Sequence, residues 1–452
     1  MSDADHDGRV SRRGFLFGAG TGLAAGGLLG WGITDLAFRL RGQGQASRTH
    51  PVLPVPSDSS PEPLYVRKRF TGTAVEDPNP AFPLPGRWPG KVVEVHHPGS
   101  VVEGEIQLEP VRQMVARGMR ELTGAPSAEE AWRALFQKGD RVAIKVNPVG
   151  RSRRPGEVAS VSNFATVLAI VEGLRSAGLG VKDIVLYERY ADEFRAAGYE
   201  VFLQRELPGV GWYAAAVKYD DRQTDLDGRD PNPKTGVRPD PDPHVLGYDP
   251  DVFRKLDYAS PWHNPNDPLS YESHVARIIT GDFVNKLIMV PVLKDHRSGG
   301  ITLALKNMSH GLVSNVARSH PAPGNTCGTF IPKMVALEPI RRKVVLQILD
   351  GLIGCYEGGP GTWNASWATW EARSLFFATD PVALDHVGMD VLDAERAARG
   401  WPPVARMGLD GNNRSGGEQF TMRQPEHVEL SGFLELGLFD PARIEYRRVE
   451  LV

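Results

Sequence analysis

"KLIMVPVLKDHRSGGITLALKNMSHG", residues 286 to 311, changes character halfway along. Lys286 to Leu293 is a nearly unbroken apolar run, the pattern of a strand buried on both faces. Ile301, Leu305, Met308 and Leu312 then recur at helical spacing, which predicts a helix from Gly300 to about His310 with Gly311 as its stop. Between the two lie Lys294, Asp295, His296 and the pair Gly299-Gly300. A buried strand, a polar corner and a helix in this order make half of a parallel βαβ unit, so the stretch points to an α/β fold.

The same rhythm extends in both directions. "KVVEVHH" from Lys91 is a strand pattern, and Val111, Met114, Val115, Met119 and Leu122 follow as one helix face. Ser127 with Glu130 three residues later opens a further helix. "RVAIKVN" (141–147) and "DIVLYE" (183–188) read as buried strands, separated by the helix face Val167, Leu168, Val171 and Leu174. "KVVLQILDG" (343–351) and "SLFFATD" (374–380) continue the series, and Asp380-Pro381 reads as a helix cap. The expectation is a mostly parallel sheet covered by helices on both faces. Residues 205–272, rich in Asp and Pro, break the rhythm as a long irregular insertion. Within it Asp225, Asp227 and Asp230 make an incomplete calcium pattern.

Composition narrows the function. A 452-residue chain with formal net charge −3 carries no basic stripe beyond Arg151 to Arg154, which disfavours nucleic acid as the main partner. The two cysteines, Cys327 and Cys355, form no C-x-x-C, which disfavours a cysteine-held iron–sulfur cluster or zinc ribbon, and whether they pair is left open. No G-x-S-x-G elbow, Walker loop or H-E-x-x-H motif occurs.

The N-terminus addresses export. Ser11-Arg12-Arg13-Gly14-Phe15-Leu16 precedes an uncharged Gly/Ala/Leu stretch reaching Thr34, the layout of a twin-arginine signal. Asp3, Asp5, Asp7 and Gly8 imitate a calcium loop, but Gly14 stands where its bidentate glutamate belongs. Gly44-Gln45-Ala46 offers a cleavage site; uncleaved, Gly14 to Thr34 is long enough to anchor in a membrane. The expected organisation is a signal over 1–46, a Pro-rich linker over 47–90 and one α/β domain over 91–452. The twin-arginine translocase is the expected partner in export, with the periplasm or the exterior as destination.

In a parallel α/β sheet, ligands gather at the carboxyl ends of the strands. Lys145 and Asn147 end one strand; Lys294, Asp295 and His296 end the next; Asp350 and Thr379-Asp380 end two more. Thr302, Lys306 and His310 share one helix face, and uncovered amides at Gly299-Gly300 would add to an anion cradle. The candidate site is therefore His296 and Asp350 for proton transfer or metal binding, with Lys145, Asn147, Lys294, Thr302, Lys306 and Asn307 holding a carboxylate or phosphate. A solvated helix face with a plain turn is the alternative.

Four blocks, "VAIKVN", "VPVLKDHRSGGITLALKNMSHG", "LDGLIGCYEGGPG" and "ATDPVALDHVG", resemble in order those of the domain of unknown function 362 family over about residues 91–400. Its most specific block is carried here by Lys294, His296, Thr302, Lys306 and Asn307. Many members add a ferredoxin-like module with four spaced cysteines, which this chain lacks. The resemblance implies which residues matter without implying a reaction. The expectation is an exported enzyme with an anion or metal site, acting on a small acidic or phosphorylated compound. The alternative is a non-catalytic periplasmic binding or accessory protein for a small acid or cofactor.

Overall fold

The first strand, β1 (Lys91–His96), stands where the apolar pattern begins, and a short hairpin β2 (Val101–Val102) with β3 (Glu105–Ile106) follows it. The computed structural model describes residues 84–220, 222–260, 263–320, 326–404 and 425–452. The export signal over 1–46, its acidic run and most of the linker 47–90 lie outside the described residues.

The remaining strands are β4 (Val142–Lys145), β5 (Ile184–Tyr190), β6 (Gly211–Ala216), β7 (Tyr248–Lys255), β8 (Glu272–Ala276), β9 (Lys286–Met289), β10 (Val292–His296), β11 (Gly300–Ile301), β12 (Val344–Glu357), β13 (Ala368–Trp370), β14 (Ser374–Ala378) and β15 (Glu445–Glu450). Together with β1, ten of them form one eleven-stranded sheet with the order β15-β1-β14-β12-β9-β4-β5-β6, to which β10, β11 and β13 attach. Neighbours from β12 through β6 run parallel. Each face is covered by helices over its own apolar cluster. The α/β class with a mostly parallel, two-sided sheet is therefore what the chain adopts.

Side-chain alternation assigns residues to faces. Val142 and Ile144 pack with the helices Leu108–Thr123 and Phe164–Ser176, whereas Ala143 packs on the opposite side with the helix Leu303–Leu312. Lys145 shares the face of Ala143. The predicted face Val111, Met114, Val115, Met119 and Leu122 is the buried face of its helix. Ser127 accepts from the Glu130 amide as its cap.

The structure differs from expectation at three places. The run Lys286–Leu293 is two strands, because Pro291 has no amide to donate and the chain re-enters beside β12 as β10. The helix expected from Gly300 begins at Leu303, since Gly300 and Ile301 pair back onto Asp295 and His296 as β11. Gly300 makes that reversal at φ 74°. Leu303 follows at φ 33°, a left-handed conformation unusual for leucine, and its side chain is fully buried. Lastly, β14 runs antiparallel to β12, so Thr379 and Asp380 end at the opposite edge of the sheet from Lys145. Asp380 instead caps the helix Pro381–Ala398 and accepts from the Gly90 and Leu438 amides.

The insertion is ordered where it is described. It supplies β6 and the β7–β8 hairpin, and its acidic trio is satisfied internally. Arg238 pairs with Asp225 and Asp227, while Asp230 accepts from the Thr224 and Asp225 amides. Those contacts occupy the carboxylates that the calcium pattern requires. No helix among the described residues is long and apolar enough to cross a membrane.

Candidate functional site

From β4 the chain steps outward to β5 and β6, whereas β9 and β12 lie on the other side of β4. The strand order therefore reverses between β4 and β9, and a crevice opens beyond their carboxyl ends. A cavity of about 450 Å³ lies there. Its walls include Lys145 and Asn147 after β4, Lys294 and His296 on β10, and Thr302, Lys306 and Asn307 around the start of the helix Leu303–Leu312. Seven of the eight residues singled out in the sequence meet in this one space.

A polar chain runs through it. Lys294 Nζ donates to Asn147 Oδ1 at 3.2 Å and to the Val149 carbonyl. Asn147 Nδ2 donates to Asn307 Oδ1 at 3.4 Å, which also accepts from Lys145 Nζ at 3.0 Å. Lys145 further donates to Glu188 at 2.7 Å and to the Val146 carbonyl at 2.7 Å. Its three N–H groups are thereby satisfied, so Lys145 is an internal ion-pair partner rather than a free cation. Gly311 makes room for it: a Cβ there would sit 2.3 Å from Lys145 Cε. That close approach, rather than helix termination, explains the glycine, since the helix continues to Leu312.

Three other cations at the cavity have no carboxylate partner among the described residues: Lys294, Lys306 and Arg189. Arg189 is held by the His310 carbonyl, the Tyr248 hydroxyl and Gln223. Lys306 Nζ has no hydrogen-bond partner among the described residues, although the residue is only 6% exposed. Asn307 Nδ2 is buried and likewise has no acceptor. Burial brings Lys306 down to about 8. Burial, with repulsion from Lys145 and Lys306, brings Lys294 down to about 7. Both amines therefore exchange protons near neutral pH.

His296 is 3% exposed, and its Nδ1 accepts from the Ser298 and Gly299 amides at 3.0 and 3.1 Å. Two backbone donors on one nitrogen place the proton of the neutral ring on Nε2. The Gly299 amide expected in an anion cradle is thus spent on His296. The helix start is closed as well, because Asp385 accepts from the Ala304 and Leu305 amides at 2.7 and 2.9 Å. An anion here would be met by side chains, not by the helix terminus.

Asp350 does not line the cavity. It follows the parity of Ile348 and Leu352, which pack on the face opposite Lys145. There its carboxylate accepts from the Asn163 amide and side chain, the Thr166 hydroxyl and the Leu352 amide at 2.8 to 3.1 Å. It braces the start of the helix Phe164–Ser176, and the expected His296–Asp350 metal pair is not brought together. Asp350→Ala leaves several buried donors unmet, so a stability loss of about 2–4 kcal/mol in denaturant unfolding is expected, with anion affinity of the folded protein unchanged. A variant of unchanged stability that lost affinity would return Asp350 to the site. Glu357, at the end of β12, is paired with Arg396 at 2.7 Å. Cys327 and Cys355 are both buried and are not joined in a disulfide.

Glu188, Arg189 and Tyr190 were missed, although they end β5 in the position that drew attention to Lys145. Arg153, stacked on Trp363 with its guanidinium 4.8 Å from the ring centroid, and His320 come from loops that carry no periodic signal.

The site is thus a cation-rich crevice at the switch point of an α/β sheet. Residues 265–390 match the family model described as Domain of unknown function (DUF362). That segment carries Lys294, His296, Thr302, Lys306 and Asn307, but not Lys145 or Asn147. No curated protein matches the chain.

Proposed function

We propose that this protein is an exported enzyme that binds a small acidic or phosphorylated compound in the cavity between β4 and β10. The observation carrying this reading is the Lys306 ammonium, which faces the cavity without a partner on an otherwise buried side chain, beside the orphaned Asn307 amide and the carboxylate-free Lys294 and Arg189. A buried cation without an anion is costly, and a bound carboxylate or phosphate supplies what these donors lack. Proton exchange falls to Lys294, which burial lowers to about 7, and to the His296 imidazole, whose Nδ1 is held by two amides so that the neutral ring carries its proton on Nε2. Export rests on the Arg12-Arg13 stretch.

Calorimetry with inorganic phosphate and small dicarboxylates is the direct test. Micromolar to millimolar binding that weakens as Lys306 deprotonates above pH 8 is expected. An absence of anion binding across that range would sink the proposal. His296→Gln is expected to keep anion affinity and lose turnover of whichever bound compound the wild-type protein converts. If no bound compound is converted, the pocket serves binding alone and the enzymatic part of the reading fails. Replacing Arg12 and Arg13 by lysine is expected to retain the protein in the cytoplasm, and continued export would contradict the signal.

A further inference from the structure

Beside Lys306, one corner of the cavity gathers three side chains of metal-ligand chemistry from three separate segments. His310 lies on the last turn of the helix Leu303–Leu312 and His320 follows the turn Ala317–Ser319. Cys327 opens the helix Cys327–Val335. One ligand atom from each lies within 4.8 Å of the other two, and no other such trio occurs among the described residues. Around a tetrahedral ion with bonds of about 2.0–2.3 Å to nitrogen and sulfur, ligand atoms stand roughly 3.3–3.8 Å apart. Small side-chain rotations bridge that difference.

The surroundings orient the trio. His310 Nδ1 lies 2.9 Å from Ser309 Oγ, which turns Nε2 toward the other two side chains; such an outer partner is what a ligating imidazole requires. The Ser319 hydroxyl sits among all three, 3.0 Å from His310 Nε2, 3.2 Å from His320 Nδ1 and 3.7 Å from Cys327 Sγ. Both histidines line the cavity, whereas Cys327 is fully buried behind them. An ion held by the three would have its remaining position facing the cavity, the arrangement of catalytic rather than structural sites. Two imidazoles and a thiolate favour a borderline or soft ion over calcium or magnesium. Lys306 and Arg189 oppose a dication here, and the thiolate offsets one charge of it.

We propose that His310, His320 and Cys327 bind one transition metal ion of the zinc class, open to the cavity. The site deepens the anion-binding reading, since a bound anion reaches both Lys306 and the open position, but metal binding does not depend on that reading.

The full-length protein, stripped with chelator, is titrated with Co²⁺ and followed by visible absorption. One equivalent with a thiolate-to-cobalt charge-transfer band, displaced by Zn²⁺, is expected. Cys327→Ser should abolish the band, and His310→Gln or His320→Gln should each weaken cobalt binding at least tenfold. Cys355→Ser, which alters the other thiol, should leave the band intact. Absence of the band in the wild-type protein, which needs no variant to fold, overturns the proposal. So does its survival in Cys327→Ser, and the Ser319 contacts are then a hydrogen-bonded knot only. Phosphate calorimetry on the stripped protein reads the anion site separately, so either claim can fail alone.

Discussion

Lys306→Met is expected to make the protein more stable and to cost it at least tenfold, and up to about a hundredfold, in anion affinity. The Lys306 side chain is largely buried and its ammonium meets the cavity without a partner, and burial lowers it to about 8 from the ordinary lysine value of 10.5. A shift of that size corresponds to a penalty on the order of 3 kcal/mol at neutral pH, where both folded and unfolded chains carry the charge. As pH rises through 8 the folded state sheds the proton first, so the ligand-free protein gains stability between about pH 8 and 10. Methionine keeps most of the stem's volume and removes the charge, so that gain should disappear and stability at pH 7 should rise by about 1–3 kcal/mol. Ligand binding has the opposite pH sign: the charged amine is the competent form, so affinity declines about tenfold per unit above pH 8. Thermal unfolding of both proteins at pH 7 and 9.5, with and without phosphate, resolves the four quantities. A Lys306→Met protein less stable at pH 7, or one that still binds phosphate normally, contradicts the assignment.

Much of this arrangement was legible because strand ends in a parallel sheet obey a rule that does not depend on tertiary detail. Lys145, Asn147, Lys294 and His296 were found from the ends of apolar runs, and Thr302 and Lys306 from one helical face. The same rule misplaced Asp350 and Asp380 for different reasons. Asp350 lies within a strand that runs on to Glu357, and alternation turns it to the far face. Asp380 ends a strand whose direction is reversed, and nothing in "SLFFATD" distinguishes a parallel from an antiparallel partner. The helix start misled too. Gly299-Gly300 resembles an open anion cradle, but Asp385, from a helix far along the chain, fills the amides after Leu303. Such long-range acceptors leave no local trace. The trio His310, His320 and Cys327 was hidden in the same way, because helix packing rather than spacing brings its members together.

Glu188 shows how closely binding and folding are joined here, and Glu188→Ala is expected to cost about 3–5 kcal/mol. Lys145 and Glu188 are each about 3% exposed and 2.7 Å apart, so removing the carboxylate strands an ammonium in the interior. The Val146 carbonyl and Asn307 Oδ1 remain as acceptors, yet neither supplies negative charge. Burial already lowers Lys145 below the ordinary lysine range, with Glu188 acting against it, so loss of Glu188 should lower it further. Loss of the lysine's proton is then the cheapest response, and the variant should recover stability as pH rises above neutrality. Lys145→Met combined with Glu188→Leu removes both charges together and should restore most of the loss, since no uncompensated ion remains. Urea unfolding of the two single variants and the double gives the coupling directly. Purely additive losses would mean the pair is not an interacting unit. The folded fraction of Glu188→Ala should also bind phosphate more tightly near pH 6, where Lys294 and Lys306 are charged and one competing carboxylate is gone. Glu188 thus holds the positive field of the cavity at a level the fold can tolerate, which leaves Lys306 as the cation available to a ligand.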